Sequence, residues 1–233
     1  MHEPPASLIR AEGIPIQFNR IQRELERIYE VAVPHDVDDF VISDAAIARR
    51  LGQHAGSAHA AEQLFVHEAE DSLDISLYIA EGVVERLRRD DPIVKLHHGN
   101  LDDFCTALEG VSHFLYLTWN AGHERAVSAL ELELQAEVDK YFVSTFLFSR
   151  QRDGNVPDGL GNWLFEGPCF DARLDGATRR RYVEANYYAA RFCGELEHRY
   201  FREKRSGNLI NELRRFYRLT RWQKIDRISR PSS

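Results

Sequence analysis

Apolar residues recur at helical spacing soon after the chain begins. Over residues 17–31, Phe18, Ile21, Leu25, Ile28 and Tyr29 share one face of an amphipathic helix, which Pro34 is expected to stop. Phe40, Val41 and Ile42 read as a short strand, and Ser43 or Asp44 caps a short helix ending near Gly52. The pattern then changes to period two. Leu64, Val66 and Glu68 alternate with Phe65 and His67, and Leu73, Ile75 and Leu77 alternate with Asp74, Ser76 and Tyr78. Two such runs around the polar stretch 69–72 predict a β-hairpin. A helix over about 80–89 ends before Pro92.

From residue 100 the helical signal strengthens. Asn100 is expected to cap a helix that runs to about Trp119, with Asp102 and Asp103 suiting the positive end of its dipole. Ser128-x-x-Glu131 fits a capping box and opens a second helix, to about Phe148. The short connection predicts an antiparallel helical hairpin. Glycines and prolines between 151 and 177 indicate an irregular connection anchored by Trp163, Leu164 and Phe165. Two helices then follow, over about 178–204 and from Asn208 onward; the second turns Leu209, Leu213, Phe216 and Tyr217 inward.

The expected fold is therefore α+β and mainly α. A small antiparallel hairpin sheet lies near the N-terminal helices, a helical hairpin forms the centre, and two basic helices complete the chain. Residues 1–13 read as a flexible lead and 14–233 as one domain, with parts at 14–99, 100–149, 150–177 and 178–228.

Composition narrows the function classes. The 233 residues are 43% hydrophobic and 29% charged, which excludes a disordered or fibrous chain. No stretch is apolar enough for a membrane span or a secretory signal. Cys105, Cys169 and Cys193 are too widely spaced for a CxxC site and odd in number. The expectation is a cytoplasmic protein without a membrane partner. P-loop, GxGxxG, GxSxG, HExxH and EF-hand patterns are all missing.

The net charge of −7 hides an asymmetry: residues 1–150 hold 13 Lys/Arg against 26 Asp/Glu, and residues 151–233 hold 17 against 11. Such a split marks a face that meets something acidic, either outside the molecule or in its own N-terminal half. Arg191, Arg214, Arg215, Arg218 and Arg221, interleaved with Tyr217 and Trp222, suit an acidic protein partner or a polyanion, because a guanidinium pairs with anions as a planar fork. Nucleic acid is the less favoured partner. The order helix, strand, helix, hairpin resembles a winged helix, but residues 53–62 carry no Arg or Lys and the hairpin is acidic. The leading expectation is a binding or regulatory protein that works through this C-terminal surface.

The competing expectation is an enzyme. Glu109 and His113 lie one turn apart on a nearly all-apolar helix, and Glu133 and Glu137 lie one turn apart on the next. Folding the hairpin about residue 124 brings the pairs together. Carboxylates and a neutral imidazole suit divalent iron, manganese or zinc. Glu195 and His198, an ExxH pair, add two candidate ligands from a third helix. The set resembles the carboxylate-bridged dimetal sites of four-helix bundles, although those use two Glu-x-x-His elements. Glu133 or Glu137 with His113 would equally form an acid/base pair, and a structural network including Lys140 is the third expectation.

Overall fold

The structure, a computed structural model, describes residues 18–52, 61–69, 72–166, 175–202 and 208–230. The lead at 1–13, most of the loop at 53–61, the turn residues 70–71 and Cys169 lie outside them. The fold is mainly helical with a small three-stranded mixed sheet.

Helix α1 (Phe18–Tyr29) buries Phe18, Ile21, Leu25, Ile28 and Tyr29. It ends before Pro34. Glu30 turns into the left-handed region at φ 50°, and Val31 N–H reaches back to the Glu26 carbonyl at 3.2 Å. Strand β1 (Val41–Ile42) and α2 (Ala45–Leu51) follow, the latter capped by Asp44, whose carboxylate accepts from the N–H groups of Ala46 and Ile47. Strands β2 (Glu62–Ala69) and β3 (Ser72–Ile79) pair antiparallel, with Leu64 opposite Leu77 and Ala69 opposite Ser72. The sheet is mixed and not the purely antiparallel one that the hairpin pattern predicts. β1 pairs parallel to β3, Val41 beside Leu77, in the order β1-β3-β2. The chain crosses to the far edge through α2 and β2, and the hairpin returns β3 to the middle.

Helix α3 (Glu81–Arg89) leads to the central pair, α4 (His98–Ala121) and α5 (Ala129–Gln151). The cap of α4 is His97 rather than Asn100. Gly99 N–H donates to His97 Nδ1 at 3.1 Å, and His97 N–H donates to the Asn100 side-chain oxygen at 2.9 Å. Asn100 is thus the returning member of a capping box. Ser128 and Glu131 cap α5 reciprocally. The stretch Val111 to Tyr116 is buried on every side, because α1, α3 and the sheet cover one flank of α4 and α5 covers the other.

The connection after α5 is not wholly irregular: α6 (Leu160–Phe165) packs against α5 and α7 through Leu160 and Leu164. α7 (Gly176–Glu197) starts on an Asp175 cap and continues as a π-helical turn, His198–Arg202. The single last helix expected from Asn208 is two, α8 (Leu209–Tyr217) and α9 (Arg221–Ser229). The break falls where the Gln223 side chain accepts from Thr220 N–H at 2.9 Å and restarts the helix.

A buried polar network joins distant parts of this core. Tyr29 donates to Asp139, Ser112 Oγ donates to Asp139 Oδ2 at 2.5 Å, and Gln135 Nε2 donates to Asp139 Oδ1 at 2.8 Å. Lys224 of α9 donates to Gln135 Oε1 at 2.6 Å and lies over the rings of Tyr116 and Phe216. Among the described residues no helix is long and apolar enough to cross a membrane.

Candidate metal centre

The α4/α5 hairpin brings the two sequence pairs face to face. His113 Nε2 lies 3.5 Å from Glu133 Oε2, and the Lys140 ammonium donates to Glu109 Oε2 at 3.0 Å. One donor atom each from Glu109, His113 and Glu133 lies within 4.8 Å of the others. Glu137 is drawn aside, accepting from Lys140 at 2.7 Å through Oε1. His113 and Glu133 are 6% and 7% exposed, so the centre is sealed from bulk water on their side.

Two further side chains complete it, neither among the expected ligands. Glu62, at the start of β2, places Oε1 3.5 Å from His113 Nδ1. Arg181 of α7 places Nε 3.5 Å from Glu133 Oε1. A period-two reading contained the signal for Glu62, which is in phase with the core-packed Leu64 and so points at the helices. Arg181 carried a weaker signal: an arginine in the first turns of a helix opposes the dipole and calls for a local anionic partner, without saying which.

The contacts around the imidazole are too long to count as hydrogen bonds. His113 Nε2, Glu62 Oε1 and Arg181 Nε are all buried atoms without a hydrogen-bond partner. Orphaned buried polar atoms are rare; of these three, His113 Nε2 is the one that faces Glu133 and can ligate an ion there. Donors bound to one ion at about 2.0–2.2 Å stand roughly 3–4 Å apart, which matches the separation of His113 from Glu133.

The electrostatics agree. Four carboxylates (Glu62, Glu109, Glu133 and Glu137) face two permanent cations, Lys140 and Arg181. With a neutral imidazole the centre is short of two positive charges. Burial alone would depress His113, but the Glu133 and Glu62 carboxylates outweigh it and hold the imidazole well above its ordinary pKa. Burial raises Glu62 and Glu137, opposed by His113 and Lys140 respectively. For Glu109, burial is overcome by Lys140 and His113, and its carboxyl titrates below the usual range. These directions describe an anionic pocket that attracts protons or a metal ion. Cys105, pushed up to about 12 by burial, stays a thiol.

The remaining candidates do not join this centre. Glu195 is engaged by Arg199 at 2.5 Å and by Arg227 at 3.1 Å, and His198 stands exposed at the start of the π-helical turn. The expected third-helix ligands are therefore not brought to the hairpin, because α7 presents Arg181, about four turns earlier, to Glu133.

The basic surface is in large part consumed internally. Arg214 Nε donates to the Ile28 carbonyl at 2.8 Å and its guanidinium pairs with Glu30 at 2.6 Å. Arg218 donates to the Glu30 carbonyl at 3.1 Å and lies over Trp119. These arginines close the negative end of α1. Tyr217 is 1% exposed and stacks on Tyr29 at 4.1 Å, which removes it from any contact surface. Arg191 bonds the Tyr187 hydroxyl at 3.0 Å. Arg221 lies 4.3 Å over the exposed ring of Trp222, and Arg215 is exposed.

Comparison with protein-family models, with curated proteins and with solved structures found no match, so the geometry of the centre alone points toward function.

Proposed function

We propose that the protein binds a divalent metal ion, iron, manganese or zinc, through Glu109, His113 and Glu133, and that this centre is where its chemistry takes place. The carrying observation is the unpartnered Nε2 of His113, buried and 3.5 Å from a Glu133 carboxylate oxygen. Two carboxylates and an imidazole are the donor set of such ions. Glu62 stands on the other side of the ring, 3.5 Å from Nδ1, where closing to hydrogen-bond distance would hold that nitrogen protonated and leave Nε2 free to ligate. Arg181 steadies Glu133 from outside. A bound ion would act as a Lewis acid and lower the pKa of a ligated water. Of the chain's own groups, Glu62 is held by burial at a raised pKa beside His113, where it can take up or give back a proton.

The test is elemental analysis of the purified, untagged protein beside His113→Ala and Glu133→Gln. Near-stoichiometric metal that is lost in both variants is the expected result. A folded, metal-free protein that takes up no Fe2+, Mn2+ or Zn2+ on addition would leave the cluster a structural network.

A second reading, binding of an acidic partner through the C-terminal helices, is favoured by one observation: Trp222 is 69% exposed with Arg221 stacked on it and Arg215 close in sequence. It predicts salt-sensitive association lost in Arg215→Glu/Arg221→Glu.

A further inference from the structure

The centre contains a cation of its own. Lys140 rises from α5 three residues after Glu137, and its ammonium bridges Glu137 Oε1 at 2.7 Å and Glu109 Oε2 at 3.0 Å. Its side chain is 12% exposed, so the charge is held inside the protein. We propose that the centre takes one divalent ion and not two, because the Lys140 ammonium holds the second cation position between Glu109 and Glu137. This rests on the metal reading above and specifies its stoichiometry.

The donors divide into two halves that share Glu109. On one side stand His113 and Glu133, with the imidazole Nε2 unsatisfied. On the other stands Glu137, satisfied by Lys140. A carboxylate has two oxygens, so Glu109 can accept from the ammonium and still offer a donor to the His113 side. The open valence is therefore one-sided. Metal ions clamped by a shared carboxylate sit about 3.5–4 Å apart. A second ion at that distance would have to displace the ammonium from Glu109 and Glu137. Lys140 cannot leave without breaking both ion pairs in a largely buried site. Reactions that need two adjacent ions to hold the attacking and leaving oxygens are thereby denied to this centre.

The experiment is titration of the full chain with Mn2+, read by bound metal per chain and by electron paramagnetic resonance, for the wild type, Lys140→Gln and Glu137→Gln/Lys140→Gln. The expected result is one isolated ion in the wild type. Lys140→Gln should bind two, magnetically coupled, and the double variant should return to one. Two ions in the wild type, or one in folded Lys140→Gln, would overturn the Lys140 assignment and leave the metal reading standing. No ion in the wild type removes the metal reading and this inference with it. Lys140→Gln leaves two carboxylates uncompensated, so its fold is followed by circular dichroism with and without Mn2+. Folding that requires Mn2+ supports the assignment, and a chain that Mn2+ does not restore counts against it.

Discussion

At position 110 an added Cβ would lie 2.7 Å from Leu77 Cδ1 and 2.8 Å from Glu62 Cγ. Both are inside van der Waals contact, and Glu62 Cγ is close to its own backbone, so the strand would have to shift. Gly110 is what lets β2 and β3 lie against α4 closely enough for Glu62 to reach His113. Gly110→Ala is therefore expected to destabilise the fold by about 1–3 kcal/mol, the range for overpacking, and to weaken Mn2+ binding without altering a ligand. Urea denaturation and Mn2+ titration measure the two effects. Unchanged affinity in the folded variant would show that Glu62 does not position His113. The pairs Glu109/His113 and Glu133/Glu137 were legible because helical spacing fixes which residues share a face. The pairing of Glu137 with Lys140 was legible for the same reason, three residues apart on one helix; that the ammonium also reaches Glu109 on α4 was not.

Among elements, the C-terminal helices differ most from their reading in sequence. A row of arginines on one face of a helix looks like a surface for anions. Here α8 lies across the end of α1, where Glu30 takes a left-handed conformation that favours glycine. Arg214 and Arg218 serve the carbonyl groups that α1 leaves unpaired. Periodicity cannot reveal this, because the acceptors are backbone groups 186 and 188 residues earlier in the chain. Arg214→Ala should lower stability by about 1 kcal/mol, the net worth of one such bond. The Arg214–Glu30 pair adds little, since Glu30 is 66% exposed. Hydrogen exchange should quicken in the last turn of α1 and not in α4. Equal acceleration in both would mean that Arg214 supports the whole core instead.

At the scale of the molecule, Lys224 ties the C-terminus to the centre. It is fully buried, hydrogen-bonded to Gln135 and two steps from Asp139 and Tyr29. Burial pushes its pKa down from 10.5 to about 7, opposed by Asp139 and Glu131. Between these values the unfolded chain holds a proton that the folded chain lacks. Stability should therefore rise with pH from about 7 toward 10.5, and the contribution is constant below 7. In Lys224→Met this rise should vanish, and stability should fall across the range, because the buried Gln135 oxygen loses its donor. Melting temperatures of both proteins across that range give the difference. A parallel pH dependence in the two would refute it.

Local pattern determined the strands and the helices other than α6 and the α8/α9 break, the caps of α2 and α5, the inward faces, and the two pairs of chemical groups on the central hairpin. Each depends on residues within a few positions of one another, where backbone geometry leaves little choice. Only the tertiary structure decided that β1 runs parallel to β3, that Glu62 and Arg181 adjoin the Glu/His cluster, that Glu195 and His198 stay outside it, and that Arg214 and Arg218 serve the end of α1. Those outcomes depend on which surfaces meet. A carboxylate on a strand or an arginine on a helix has the same local energy whether its partner is water or a group from the other end of the chain.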